Sequence, residues 1–191
     1  MRAIVIALAA GLTALPAFAQ KVSQPPTYSG DLAGFSGDPG ALPRAISAIE
    51  AQGPRVMEIR YDGAHGPGYA AVLARNGKVE FQRAAEPATG LTMISSATQP
   101  VWMLDWRGRA EVKAVSKAKV DLATAVRAAE GEANGAPAVA AGIAAGSVNP
   151  GSEVKAYNVL VHLPDGGFRR VMVDADSGSV IANPGALRAW P

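Results

Sequence analysis

Two segments of the chain repeat apolar residues at the spacing of one helix face. In the later segment these residues stand at i, i+3, i+4 and i+7: Leu122, Ala125, Val126 and Ala129. Asp121 precedes them and predicts a helix N-cap. The earlier segment carries the same pattern at an offset of 80 residues, since Leu42 corresponds to Leu122 and Glu50 to Glu130. The chain therefore predicts two copies of one helical unit.

Alternating apolar and polar residues predict strands after each helix. The expected strands of the first copy span 55–61, 69–75 and 78–83, and those of the second copy span 136–146, 155–163, 168–174 and 179–182. Asn76 and Gly77 separate two of these runs, and an Asn-Gly pair in that setting is a strong hairpin signal. Each copy therefore predicts a helix followed by successive hairpins.

Successive hairpins predict an antiparallel sheet, and the helix before them can cover one face. We therefore expect an α+β fold of two tandem units, each with one helix packed on a small antiparallel β-sheet. The expected bounds are a signal peptide at 1–19, an extended or mobile arm at 20–40, unit 1 at 41–94, a linker at 95–120 and unit 2 at 121–185. The expected core of unit 2 comprises Leu122, Val126, Val159, Val161, Val171, Val173 and Ile181.

The segment between the two copies is less regular. Residues 100–106 predict an extra strand or an aromatic plug between the units, and residues 109–117 predict a short helix. Trp102 and Trp106 lie in this segment and allow two interpretations. They fill the joint between the copies, or they form an exposed patch that anchors a partner, as tryptophan often does at interfaces.

The N-terminus has the pattern of a secretory signal peptide. Arg2 supplies a positive charge, residues 4–14 are apolar, and Ala17-Phe18-Ala19 is an A-x-A cleavage signature. The apolar run is shorter than the ~20 residues that span a bilayer. We expect cleavage after Ala19, a periplasmic or secreted protein, and no stable membrane span after cleavage.

The amino-acid composition excludes several kinds of chemistry for this chain. The chain has no cysteine, which excludes disulfides, cysteine nucleophiles, thiolate zinc clusters and covalent haem attachment. Its 18 basic and 16 acidic residues nearly balance. The densest basic stretch, 106–119, also contains Glu111, so we expect a solvated face there and no binding to nucleic acid.

The second copy resembles the PepSY domain family. The resemblance rests on the helix pattern L-x-x-A-[IV]-x-A-x-E from Leu122 to Glu130, the strand at 157–163, and the run Val-Asp-Ala-Asp-Ser-Gly at 173–178. It extends more loosely to the first copy. The resemblance implies two PepSY-like units in a protein that binds or restrains peptidases, or acts as an accessory module, without catalytic residues.

The acidic run before residue 179 has three possible roles: a calcium loop, a catalytic acid pair or a turn. Asp174 and Asp176 supply the acids, and Ser177 and Gly178 follow them. The first copy keeps one acid, Glu86, with the hydroxyl residue and the glycine, but has Ala88 where Asp176 stands. Glycine supplies a positive φ without steric cost, and aspartate accepts backbone N–H groups in turns. We therefore expect a structural turn, in which Asp176 accepts a backbone N–H.

These observations predict an exported protein that is not an enzyme and needs no cofactor or metal. Its expected partner is a protein, such as a periplasmic peptidase or a cell-envelope complex. The alternative is a sensor of a small ligand or metal ion, with Asp174, Asp176 and His162 binding calcium or a transition metal. A hydrolase that uses His65 or His162 is a third possibility, but no nucleophile motif accompanies either histidine.

Overall fold

The elements follow the order helix, four strands, two helices and three strands along the residues that the computed structural model describes, 31–64, 66–85, 92–149 and 152–182. The helices are α1 (Ala41–Glu50), α2 (Trp106–Lys117) and α3 (Leu122–Glu132), with a 3₁₀ turn at Val101–Met103. The strands are β1 (Arg55–Tyr61), β2 (Gly68–Arg75), β3 (Lys78–Ala85), β4 (Thr92–Pro100), β5 (Ala138–Asn149), β6 (Ser152–His162) and β7 (Phe168–Asp174). Within these ranges, no helix has the length and apolar character needed to cross a membrane.

Pairing between β1 and β5 joins the two copies into one sheet. The strand order is β4-β3-β2-β1-β5-β6-β7, and all pairs are antiparallel. The prediction of two tandem α+β units, each with its own small sheet, is therefore wrong. The physical reason lies in the edges of such units, where β1 and β5 would each expose unpaired backbone groups. Ile59 instead stands opposite Ala141, and both side chains are fully buried.

Helices α1 and α3 lie side by side on one face of this sheet. Residues opposite each other in an antiparallel ladder share a face, so Ile59 and Ala141 line up with Val159 and Val171. The expected core of the second copy is confirmed for six residues, all at most 3% exposed: Leu122, Val126, Val159, Val161, Val171 and Val173. Ile181 is only half-buried.

Helix α2 lies on the opposite face, where it packs on β1 and β5. Glu58 precedes Ile59 in β1 and so points away from α1 and α3. The charge of Glu58 acts on Glu111 of α2. The segment after α2 crosses the end of the sheet, where the Val120 N–H donates to the carbonyl of Ala175 at 3.0 Å. Strands β1 and β5 thus lie between helices on both faces of the sheet.

The structure differs from several predictions for the segment between the two copies and for the end of the second copy. Strand β4 occupies 92–100, where the sequence predicted no separate strand. The extra strand expected at 100–106 is wrong, because residues 101–103 form the 3₁₀ turn. The predicted short helix is confirmed as α2, which begins three residues earlier than 109–117, at Trp106. The last expected strand is reduced to one bridge between Val173 and Val180.

The chain before α1 crosses one end of the sheet. The Tyr61 hydroxyl donates to the carbonyl of Ala33 at 2.8 Å, and the Gly63 N–H donates to the same segment at 3.0 Å. The Phe35 ring meets Tyr61 edge-on, with centroids 5.1 Å apart. Residues 31–40 of the expected arm are therefore held against the sheet. The rest of that arm and the expected signal peptide lie outside the described residues.

Gly63→Ala is expected to lower the free energy of unfolding by about 1–3 kcal/mol. The reason is that a β-carbon there would stand 2.4 Å from the carbonyl oxygen of Ala33. Urea denaturation measures the difference. Gly131→Ala is the control, because its β-carbon meets nothing within 4 Å and should raise stability by up to ~1 kcal/mol. Equal effects from the two substitutions would contradict the role of Gly63.

Candidate functional site

Three large apolar side chains are exposed together where the 3₁₀ turn meets α2. Trp102 is 75% exposed, Met103 is 53% exposed and Trp106 is 61% exposed. We call these three residues the tryptophan patch. The two tryptophans therefore do not fill a joint between the copies. Leu104, which lies between them in the chain, is 6% exposed and carries the segment into the core.

Local contacts hold the backbone of the tryptophan patch in place. Asp105 is the N-cap of α2, and its carboxylate accepts the N–H of Gly108 at 2.7 Å. A β-carbon on Gly108 would lie 3.2 Å from the Leu104 side chain, so the turn packs tightly behind the patch. The guanidinium of Arg107 stands 5.1 Å from the centroid of the Trp106 ring, a distance at which cation–π attraction orients the ring.

The tryptophan patch lies at the end of an edge strand. Among the described residues, β4 pairs only with β3 and has no strand on its outer side. The other edge strand, β7, is partly covered, because the Asp174 N–H donates to Ser179 and the Ile181 N–H donates to Met172. The edge strand β4 therefore leads directly into the patch along the chain.

The acidic run at 174–178 forms a turn in the structure. The Oδ1 atom of Asp174 accepts the N–H of Asp176 at 3.0 Å, the N–H of Ser177 at 2.7 Å and the hydroxyl of Ser177 at 2.9 Å. Gly178 has a φ of 75° and donates its N–H to the carbonyl of Asp174. The expectation that Asp176 accepts the backbone N–H is wrong, because the first aspartate of the run has that role.

Both carboxylates of this turn are engaged by other groups of the protein. Burial acts to raise the pKa of Asp174, but hydrogen bonds from Ser177 and Asp176 and the charge of Lys155 lower it below its ordinary value. The Oδ1 atom of Asp176 lies 2.7 Å from the Lys155 ammonium. This arrangement stabilises the turn and ties it to β6.

The residues expected for the sensor site lie at opposite ends of the β6–β7 pair. His162 is the last residue of β6 and lies beside the start of β7, whereas Asp174 ends β7. The six residue-to-residue steps from Phe168 to Asp174 along β7 separate these ends by about 20 Å. The structure therefore does not bring His162 together with Asp174 and Asp176. In the described ranges, no cluster of three or more histidine or acidic side chains is placed to hold a metal ion, and His65 lies outside them.

A buried carboxylate joins the two copies. Glu130 is 6% exposed. Its Oε1 atom accepts the Ala138 N–H at 3.0 Å, and its two oxygens accept the Gly40 N–H at 3.2 and 3.1 Å. Glu50 accepts the Val56 N–H at 2.9 Å in the first copy. The signal was a glutamate at the same position of both helices, but its hydrogen-bond partners depend on the fold.

Glu111 is a second acid whose role only the structure reveals. Its side chain points from α2 toward the sheet. Burial raises the pKa of Glu111 to about 8, the charges of Glu58 and Asp105 also raise it, and Arg107 opposes them. Burial and the two neighbouring carboxylates therefore favour the protonated form of this carboxyl group.

Comparisons with known proteins identify no family for this chain. No model of a known protein family matches it, and no curated protein matches it. Among solved structures, a candidate lipoprotein from Clostridium difficile 630 is similar over 76% of this chain and 91% of its own length. The TM-score is 0.41 and the sequence identity is 14%, and a likeness at this level supports no argument about function. The PepSY resemblance stays a prediction.

Glu130→Ala is expected to lower the free energy of unfolding by roughly 2–4 kcal/mol, because it leaves the buried N–H of Ala138 and the partly buried N–H of Gly40 without an acceptor. Urea unfolding provides the measurement. The control is Glu132→Gln, which removes an exposed ion pair with Arg169 and should cost less than ~1 kcal/mol. A loss of stability in Glu130→Ala no larger than the small loss in Glu132→Gln would show that the Glu130 carboxylate does not stabilise the fold.

Glu111→Gln is expected to change how stability depends on pH. The folded protein holds the Glu111 proton up to about pH 8, whereas the unfolded chain releases it near its model value of 4.5. The free energy of unfolding of the wild type should therefore fall as pH rises between these values. The glutamine variant cannot ionise, so its advantage over the wild type should grow with pH across this window.

Chemical denaturation at several pH values from about 4 to about 9 measures that advantage. Glu132→Gln is again the control, because this carboxylate lies in an exposed ion pair. A stability difference between Glu111→Gln and the wild type that stays constant with pH would contradict the buried, protonated state.

Proposed function

We propose that this chain is an exported, non-catalytic binding protein whose tryptophan patch docks on a protein partner. The observation that carries the proposal is the joint exposure of Trp102, Met103 and Trp106 at 53–75% on a tightly held backbone. Exposed apolar side chains that are grouped in one patch often mark interaction sites, whereas single ones do not. Tryptophan is also the residue type that most often dominates the binding energy of an interface.

The β4 edge supports the same proposal. An extended peptide can add to an exposed sheet edge through backbone hydrogen bonds, while nearby pockets or anchors supply specificity. Here β4 ends at Pro100, directly before Val101 and the tryptophan patch. A partner segment that pairs along β4 would therefore reach the two tryptophans at its end.

The kind of partner and the location of the protein are part of the proposal. Export is supported by the charge, the apolar run and the Ala17-Phe18-Ala19 signature at the N-terminus. A periplasmic peptidase or a cell-envelope complex is supported by the PepSY resemblance of residues 121–182. On such a partner, the chain acts by occupying a surface and not by chemistry of its own.

The double variant Trp102→Ser/Trp106→Ser is expected to reduce capture of the partner at least ~10-fold, because a buried interface tryptophan typically contributes more than 1 kcal/mol. A photo-crosslinking residue at Met103 of the full chain, expressed in cells, reports the capture as one discrete adduct. Circular dichroism and the melting temperature check that the variant still folds.

Phe168→Ser is the matched control for this experiment. Phe168 is another exposed aromatic residue, at 44%, but it lies at the end of the sheet away from the patch. Its replacement should leave the adduct unchanged. Undiminished capture by the tryptophan variant, or equal loss in the Phe168 variant, would refute docking through the patch.

A further inference from the structure

The turn that joins β2 to β3 is an exposed Asn-Gly pair. Asn76 has a φ of 48° and Gly77 a φ of 72°, the left-handed values that a type I′ hairpin turn requires at both positions. Both residues are exposed, and a β-carbon on Gly77 would meet nothing within 4 Å. Within the described part of the chain the Asn76 side chain makes no hydrogen bond, so nothing there holds it away from the following peptide bond.

An asparagine followed by glycine can react with its own backbone, because glycine has no side chain to hinder the approach of its nitrogen. The Gly77 nitrogen, on losing its proton, bonds to Cγ of Asn76, and the side-chain amide leaves as ammonia with the proton that the nitrogen lost. The product is a cyclic succinimide. Water then opens one of its two carbonyl groups, which leaves either aspartate or isoaspartate at position 76.

A second Asn-Gly pair, after α3, has the same backbone shape but a different environment for its nitrogen. Asn134 and Gly135 have φ values of 55° and 80°, and both are exposed. The Gly135 N–H donates to the carbonyl of Glu130 at 2.8 Å. The Gly77 N–H, by contrast, makes no hydrogen bond to any described residue. The attacking nitrogen is therefore free in the first pair and held in the second.

The β2–β3 turn also supports the segment that carries the tryptophan patch. The carbonyl of Gly77 accepts the Val101 N–H at 3.1 Å, and Val101 is the first residue of the 3₁₀ turn that contains Trp102 and Met103. Isoaspartate routes the main chain through the former side-chain methylene and so lengthens it by a carbon atom. A two-residue turn fixes the register of its hairpin, so this longer chain displaces the Gly77 carbonyl from Val101.

We propose that Asn76 is a site of spontaneous deamidation and isoaspartate formation, and that this modification loosens the 3₁₀ turn beneath the tryptophan patch. The inference goes beyond the proposed function, because neither the reaction nor its effect on the turn requires a partner. Water is the only co-reactant, so the modified fraction grows with the age of the molecule. The backbone below Trp102 is then best ordered in newly made protein.

The first test follows both asparagines in one sample of the full chain. The protein is held in mildly alkaline buffer, which favours loss of the proton from the peptide nitrogen, and the buffer is made with heavy-oxygen water. Mass spectrometry of digested samples then detects the incorporated oxygen, and electron-transfer fragmentation separates isoaspartate from aspartate. Asn76 should convert at least ~3-fold faster than Asn134, the effect of one hydrogen bond on the attacking nitrogen. Equal rates at the two sites, or no conversion at Asn76, would overturn the assignment.

The second test measures hydrogen exchange in residues 101–106 before and after ageing. Loss of the bond to Gly77 should speed exchange of the Val101 amide at least ~3-fold in the isoaspartate fraction, separated by chromatography. Asn76→Gly is the control, because glycine accepts the positive φ of the turn and has no side-chain amide to lose. Exchange in this variant should not change with age, and exchange within α3 checks that the fold is intact.

Two results would overturn the link between the turn and the tryptophan patch. One is an unchanged Val101 exchange rate in protein that contains isoaspartate at position 76. The other is an equal rise with age in the Asn76→Gly variant. Both measurements are made on the isolated protein, so they stand or fall separately from the capture of a partner through the patch.

Discussion

The pairing of β1 with β5 is the contact on which the rest of the structure depends. Each strand begins the sheet of its own copy, and their union places α1 beside α3 on one face. Glu130 then secures the joint, because a single buried carboxylate accepts backbone N–H groups from Gly40 before α1 and from Ala138 of β5. A charged group in the interior is tolerated only when its hydrogen bonds are satisfied, so this carboxylate also fixes how the copies fit.

The surface chemistry of α2 follows from this arrangement. Because α1 and α3 already occupy one face, α2 covers the other, and its small residues Gly108, Ala114 and Val115 turn toward the sheet. The remaining positions of the helix must then face solvent. Glu111 therefore lies on the side of α2 that faces the sheet, whereas Arg109, Lys113 and Lys117 are exposed.

The sequence predicted the individual helices and strands but not how they assemble into one sheet. Helical spacing from Leu122 and alternation in residues 155–163 depend on neighbours in the chain, so α3 and β6 were predictable. Pairing of β1 with β5 depends on a register between distant strands, and the alanine-rich run 136–146 gives little sign of it. The exposure of Trp102 could not be predicted either, because tryptophan occurs both in protein cores and at interfaces.

The N-terminal segment and the tryptophan patch lie at opposite ends of the sheet. Residues 31–40 cross the end where β2 begins, whereas the patch follows the end where β2 and β4 finish. The eight residues of β2 separate these ends by roughly 23 Å. If the chain were tethered to a surface through the residues before 31, the patch would point away from the point of attachment. The sheet would then serve as a rigid spacer that holds the tryptophans at a fixed height.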